Sequence, residues 1–111
     1  MKMSHRKIDT IDLVELSGRL VMADAPEARK QLKSIIEQGN GKLIVDLSDV
    51  SFMDSSGLSV LVSAFKQTRT MDGDVVLLNP GPAVRTLIEL TRMQQVFDIV
   101  DDEAAAVARL S

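Results

Sequence analysis

Hydrophobic and polar positions alternate along the first part of the chain. Between Ile11 and Leu20, apolar or small residues occupy the even positions from 14 to 20, and polar residues occupy positions 15, 17 and 19. This alternation is typical of a strand that has one face in solvent. The segment from Met3 to Ile8 is predicted to be its hairpin partner, with the turn at Asp9 and Thr10.

A helical pattern follows, beginning near Asp24 and ending at Gly39. The apolar face of this helix consists of Ala28, Leu32, Ile35 and Ile36. Asp24 is predicted to be the N-terminal cap, because Pro26 and Glu27 follow in the first turn and Glu27 has capping-box spacing. We therefore expect the Asp24 side chain to accept a hydrogen bond from a first-turn N–H.

Three more segments are predicted to be strands. KLIVDL (residues 42–47) and DVVLLN (74–79) are apolar runs of the kind found in strands that helices cover on both faces. QVFDIV (95–100) is predicted to be a last, short strand.

Three further helices are predicted from apolar residues at helical spacing. These residues are Leu58, Leu61, Val62 and Phe65 in the first helix and Val84, Leu87 and Ile88 in the second. The first helix ends where Asp72 and Gly73 break the pattern, Pro82 begins the second, and Asp101 or Asp102 caps a third, Ala-rich helix. The element order β-β-α-β-α-β-α-β-α predicts an α/β fold with a mixed sheet flanked by helices, because parallel strands need crossover helices.

Composition favours a single ordered domain over residues 1–111. The chain has 111 residues and is 45% hydrophobic, which suffices for one core but not for two ordinary domains. Charged residues make up 26% and the formal net charge is -3, so neither disorder nor nucleic-acid binding is expected. The only aromatic residues are three Phe, which leaves no platform for stacking bases.

The chain contains no Cys, which excludes disulfides, thiolate metal sites and cysteine nucleophiles. The N-terminal sequence MKMSHRKID lacks the apolar core of a targeting segment, and apolar runs such as VVLL (75–78) are far too short to cross a bilayer. No membrane partner is expected, and the predicted location is the cytoplasm.

The segment SFMDSSGLSVL (51–61) places an acid, several hydroxyls and a glycine between a strand and a helix. A serine hydrolase would need a general base, and the only His is His5, in an N-terminal segment that we expect to be frayed. MDSSG also lacks the first glycine of the G-x-S-x-G nucleophile elbow, and no specific spacing recommends Lys66 as a base. We therefore predict that the protein is not an enzyme.

Asp101, Asp102 and Glu103 form the densest acidic cluster. Three adjacent acids before an Ala-rich helix are more simply interpreted as caps that favour the positive end of the helix dipole than as metal ligands. We predict no metal site and no cofactor.

Ser55 and Ser56 lie where the strand pattern gives way to helical spacing. A capping role explains them completely: one hydroxyl would accept a hydrogen bond from a free first-turn N–H and contribute about 1 kcal/mol. The alternative is a site that another enzyme modifies. Composition and spacing do not decide between the two.

The segment LIVDLSDVSFMDSSGLSVLVSAFKQTR (43–69) combines a strand, a D-S-[ST]-G-L motif and a helix, and in this it resembles the STAS-domain anti-sigma factor antagonists. ELSGRL (15–20), APEAR (25–29) and AVRTLIEL (83–90) fit the same arrangement. The resemblance covers nearly the whole chain and implies a STAS domain, a mixed sheet flanked by helices.

The resemblance implies a regulatory binding protein. In this family the serine after the motif's aspartate, here Ser55, is phosphorylated by an anti-sigma factor that is also a GHKL-type serine kinase, and a PP2C-type phosphatase removes the phosphate. The unphosphorylated antagonist holds the anti-sigma factor and frees a sigma factor; the phosphorylated one lets go. By this resemblance the expected partner-binding residues around Ser55 are Asp24, Asp54, Ser56, Gly57 and Leu58.

Two positions depart from the family pattern: Val21 stands where an acid is frequent, and Ser59 stands where a small Gly is common. Gly57 has two interpretations, close approach of a partner backbone or a turn conformation that only Gly adopts cheaply. The alternative function is a STAS interaction module in another assembly, such as a transporter or a stress-signalling complex, in which Ser55 only caps the helix.

Overall fold

Five strands form one mixed sheet in the computed structural model, which describes residues 1–111. They are β1 (Lys2–Ile8), β2 (Ile11–Leu20), β3 (Lys42–Met53), β4 (Asp74–Leu78) and β5 (Asp98–Val100). The strands lie side by side in chain order, with β1 antiparallel to β2 and the other neighbours parallel. The predicted hairpin and the predicted mixed sheet are confirmed.

Four α-helices connect and flank the strands. They are α1 (Ala25–Gln38), α2 (Ser55–Arg69), α3 (Pro82–Leu90) and α4 (Glu103–Leu110). The predicted order is confirmed, and α1, α2 and α3 supply the crossovers that parallel neighbours require. The last strand is shorter than predicted, because a short 3-10 helix (Met93–Gln95) precedes it and Phe97 packs edge-on against Phe65, with ring centroids 5.6 Å apart.

Each face of the sheet carries its own core. The larger core lies under α1, α2 and α3 and includes Leu16, Leu32, Val45, Leu61 and Ile88. The smaller core lies under α4 and consists of Ile11, Leu13, Ile44, Val76, Leu78, Val100, Ala106 and Leu110. The predicted solvent face of β2 is therefore wrong for its first half, because α4 covers Ile11 and Leu13; it begins only at the half-buried Glu15.

The ends of β2 and β3 position the candidate site. Leu20 pairs with Met53, so both parallel strands end at the same edge of the sheet. From there residues 21–24 lead into α1 and Asp54 leads into α2. Carboxyl ends of parallel strands are where α/β proteins commonly place binding residues.

The predicted cap of α1 is wrong. Asp24 precedes the helix but makes no side-chain capping hydrogen bond. Its backbone is helical, with φ -93° and ψ -19°, whereas a capping side chain needs an extended backbone to fold back onto the first turn. The Val21 carbonyl instead accepts hydrogen bonds from Asp24 N–H (2.9 Å) and Ala25 N–H (3.1 Å).

The cap of α4 is confirmed at Asp102. Its backbone is extended, and its Oδ1 accepts a hydrogen bond from Ala105 N–H at 2.7 Å. The neighbouring acids serve separate contacts: Asp101 lies 3.3 Å from the Arg85 guanidinium, and Glu103 pairs with Arg6 of β1. The three carboxylates are therefore engaged individually.

Two glycines allow β3 and β4 to start side by side. Gly41 has a positive φ of 76°, and its carbonyl accepts a hydrogen bond from Asp74 N–H at 2.9 Å. A Cβ at Gly73 would lie 1.9 Å from that same carbonyl oxygen. Since backbone cannot move aside as a flexible side chain can, this position excludes any side chain.

We expect Gly73→Ala to lower the free energy of unfolding by about 1–3 kcal/mol, because the methyl group must displace the Gly41 backbone. Gly81→Ala is the matched control, since the nearest atom to its Cβ would be the Val50 carbonyl oxygen at 3.7 Å. In this control the free energy of unfolding should fall by less than about 1 kcal/mol. Urea unfolding of both variants checks this, and equal losses would contradict it.

Candidate functional site

Asp54 caps helix α2. Its backbone is extended, with φ -101° and ψ -174°, and its Oδ1 accepts a hydrogen bond from Gly57 N–H at 2.9 Å. Ser55 and Ser56 are already the first two residues of the helix. The interpretation that one of these serines is the cap is therefore wrong, because the capping position belongs to the residue before them.

The second oxygen of the Asp54 carboxylate holds the neighbouring loop. Oδ2 accepts a hydrogen bond from Met22 N–H at 3.0 Å, and Asp54 N–H donates to the Leu20 carbonyl at 3.4 Å. One carboxylate thus joins the start of α2 to the turn between β2 and α1. Those two segments are 32 residues apart in the chain.

Ser55 is exposed at the first position of α2. The turn that carries Asp24 lies beside it, since Met22 in that turn is bonded to Asp54. The Asp24 carboxylate is partly exposed, at 32%, and lies 3.9 Å from the N-terminal amine of Met1. The predicted residues Asp24, Asp54, Ser55 and Ser56 are therefore brought together at one edge of the sheet.

Gly57 and Leu58 do not belong to the exposed surface that we expected. Leu58 is only 7% exposed and is part of the larger core. Gly57 is buried, and a Cβ there would lie 2.4 Å from the Leu20 carbonyl oxygen. Gly57 therefore lets α2 pack against the end of β2, and close approach of a partner backbone is the wrong interpretation.

Ser59, which departs from the family pattern, links the two helices. Its Oγ donates to the Ser56 carbonyl at 2.6 Å and accepts from Arg29 Nη2 at 2.9 Å. Arg29 Nε also donates to Ser63 Oγ at 3.4 Å. A glycine at position 59 would offer no hydroxyl to this guanidinium.

Two functional candidates at this edge were missed by sequence reasoning. Met22 is 71% exposed and lies beside Asp54, where it offers apolar surface next to Ser55. Its place in a turn, outside any amphipathic face, was the available signal. Arg29 gave no local signal, because its partner Ser59 is 30 residues away in the chain.

The prediction that His5 lies in a frayed segment is wrong, because His5 is part of β1. Its Nε2 lies 2.7 Å from Oδ1 of the buried Asp12. It pairs with Val14, six residues before the end of β2, which places it on the order of 20 Å from the Ser55 end of the sheet.

No group of three or more His, Asp or Glu side chains in the structure is placed to hold a metal ion. None of the helices has both the length and the apolar character needed to span a membrane.

We expect Asp54→Ala to lower the free energy of unfolding by about 1–3 kcal/mol, because Gly57 N–H and Met22 N–H both lose their acceptor. Amide hydrogen exchange at these two positions should accelerate. Asp49→Ala removes an exposed carboxylate from β3 and is the matched control, with an expected change within about 0.5 kcal/mol. Unchanged exchange at Met22 in Asp54→Ala would contradict the bridging role.

The sequence matches the model of the STAS domain family over residues 2–106. It is 35% identical over 86 residues to the anti-sigma-B factor antagonist of Bacillus subtilis, covering 78% of each chain. The fold is similar to the crystal structure of an anti-sigma factor antagonist from Mycobacterium paratuberculosis, with a TM-score of 0.89 and 25% identity, covering 98% of this chain and 92% of that one.

The anti-sigma factor antagonist SpoIIAA in its unphosphorylated form has the same fold, with a TM-score of 0.83 at 24% identity, over 97% of this chain and 95% of that one. Sequence and fold therefore agree along almost the entire length. The chain belongs to the STAS domain family.

Proposed function

We propose that this protein is an anti-sigma factor antagonist whose binding to an anti-sigma factor serine kinase is switched off by phosphorylation of Ser55. The observation that carries the proposal is the exposed Ser55 hydroxyl at the first position of α2, beside the exposed apolar side chain of Met22. The names of its sequence relatives, anti-sigma factor antagonists, support it. We call Met22, Asp24, Asp54, Ser55 and Ser56 the switch surface.

The protein is the substrate in this cycle and performs no catalysis of its own. A GHKL-type kinase transfers the terminal phosphoryl group of ATP to Ser55 Oγ: the new O–P bond forms, the bond to the bridging oxygen breaks, ADP leaves and the hydroxyl proton passes to the kinase. A PP2C-type phosphatase returns the hydroxyl by transferring the phosphoryl group to water. The unphosphorylated form holds the kinase and frees a sigma factor.

The fold is well suited to carry the phosphate without unfolding. A phosphate at a helix N-terminus lies near unpaired N–H groups and the positive end of the helix dipole, an interaction of about 0.3–2 kcal/mol. Leu58, one turn further, stays anchored in the core. SpoIIAA has also been solved in its phosphorylated form, and this chain matches that fold with a TM-score of 0.75 at 22% identity.

Charge explains why the partner would dissociate. The phosphate adds about two negative charges next to the Asp54 carboxylate, at the sheet edge whose turn also carries Asp24. Placing these charges in an interface without a matching cation costs desolvation and repulsion. Since each ~1.4 kcal/mol changes affinity tenfold, a penalty of about 3–4 kcal/mol releases a micromolar complex. No large conformational change is needed.

Met22 is the apolar anchor of the proposed interface. Full burial of a methionine side chain contributes about 1.5–3 kcal/mol, which is a large share of a micromolar affinity. Because the fold uses only its backbone, whose N–H donates to Asp54 and whose carbonyl accepts from Ala25 N–H, its exposed side chain is available to a partner.

We expect Ser55→Ala to bind the kinase equally well with and without ATP, and Ser55→Asp to bind at least about tenfold more weakly. Ser55→Asn has the shape of Asp without its charge and should bind like the wild type. The kinase is obtained by capture from the native cell on immobilised Ser55→Ala, and affinities are measured by calorimetry. Equal affinities of the Asp and Asn variants would count against the switch. So would an unchanged mass of the wild-type protein after incubation with kinase and ATP, because no phosphate would then have been added.

We expect Met22→Ala to weaken kinase binding by about tenfold without changing the melting temperature. Leu90→Ala is the matched control, because Leu90 is also an exposed apolar side chain, at 78%, but lies at the end of α3. Calorimetric titration of both variants distinguishes an interface residue from a general loss of apolar surface. The same loss in both would refute the assignment of Met22.

A further inference from the structure

Arg29 is a cation without a carboxylate partner. It forms no ion pair in the structure, and its guanidinium instead donates to the hydroxyls of Ser59 and Ser63. A guanidinium has five N–H donors in a planar fork, which suits a phosphate or carboxylate far better than two neutral hydroxyls. The side chain is thus held in place without being neutralised.

The hydroxyls that hold Arg29 belong to a row that leads to Ser55. Ser55, Ser59 and Ser63 are spaced by four residues along α2, so successive members lie about 5–6 Å apart on neighbouring positions of one helix face. Arg29 contacts the second and third members of the row. Ser55 is the next member toward the helix N-terminus.

We infer that Arg29 is the internal counter-cation of phosphorylated Ser55. The guanidinium keeps its contact with Ser59, releases the longer contact with Ser63 and turns toward the phosphate oxygens. The required movement is about one helical turn at the tip of a long, exposed side chain, and the phosphate extends toward it from the hydroxyl. This inference rests on the proposed function, since it describes the phosphorylated state of the same serine.

The consequence is a phosphorylated state whose new charge is partly neutralised within the protein. The phosphate would link α2 to α1, because Arg29 lies on α1. The nearby carboxylates of Asp24 and Asp54 act in the opposite direction, since they disfavour the second ionisation of the phosphate. Both carboxylates are present in every variant of the test, so their effect on the phosphate pKa is the same in each and does not contribute to the differences between variants.

The test uses the 111-residue chain with phosphoserine inserted at position 55 during translation, so that no kinase is needed. Phosphorus NMR follows the second ionisation of the phosphate, which ordinarily has a pKa near 6. A close cation favours the dianion, so we expect this pKa to be at least ~0.5 pH unit higher in Arg29→Gln than in the wild type. Arg29→Lys keeps the positive charge, so its phosphate pKa should stay close to that of the wild type.

Lys30→Gln is the matched control. It removes the same charge from the adjacent, exposed position of α1, and Lys30 makes no ion pair. We expect Lys30→Gln to raise the phosphate pKa by less than about a third of the rise seen in Arg29→Gln. Ser59→Ala, which removes the hydroxyl nearest to Arg29, should give an intermediate value. Equal pKa values in Arg29→Gln and Lys30→Gln would overturn the inference, because only the general field would then act on the phosphate.

Melting temperatures provide a second measurement. Arg29→Gln should lower the melting temperature more in the phosphoserine protein than in the unmodified protein, whereas Lys30→Gln should lower both alike. If Arg29→Gln lowered the melting temperature equally in the phosphoserine protein and the unmodified protein, the inference would also be contradicted. Failure of the captured kinase to phosphorylate wild-type Ser55 would overturn the proposed function alone, because the phosphoserine protein is made without that kinase.

Discussion

The two hydrogen bonds accepted by the Asp54 carboxylate determine the geometry of the whole switch surface. One oxygen closes the first turn of α2 at Gly57, and the other holds the turn between β2 and α1 at Met22. Asp54 N–H adds a third bond, to the Leu20 carbonyl, so this residue is held by both segments. The bridge therefore holds Met22 close to Ser55 at the edge of the sheet.

The site combines a rigid base with an exposed tip. Gly57 allows α2 to lie against the Leu20 carbonyl, and Leu58 anchors the same turn in the larger core. Ser55 projects from this fixed turn into solvent. A residue placed in this way can gain a charge while the packing beneath it stays intact, so that regulation by exclusion from an interface is physically sufficient.

Local patterns predicted the elements well and their caps poorly. The hairpin, the strand and helix order and the Asp102 cap were confirmed, because alternation, helical spacing and turn residues act within a few positions. The Asp24 cap was wrong because the turn from Val21 imposes a helical backbone on that residue. The solvent face of β2 was misjudged because α4, which covers Ile11 and Leu13, comes from the other end of the chain.

Strand, acid, serines and helical spacing are consecutive along the chain, so the order of residues alone establishes that a serine opens the helix after this strand. The neighbours of that serine depend instead on tertiary packing. The contacts of Met22 with Asp54 and of Arg29 with Ser59 join residues 32 and 30 positions apart. Such contacts depend on the register of β2 against β3 and on how α1 packs on α2, which arise from the burial of the whole core rather than from any short pattern.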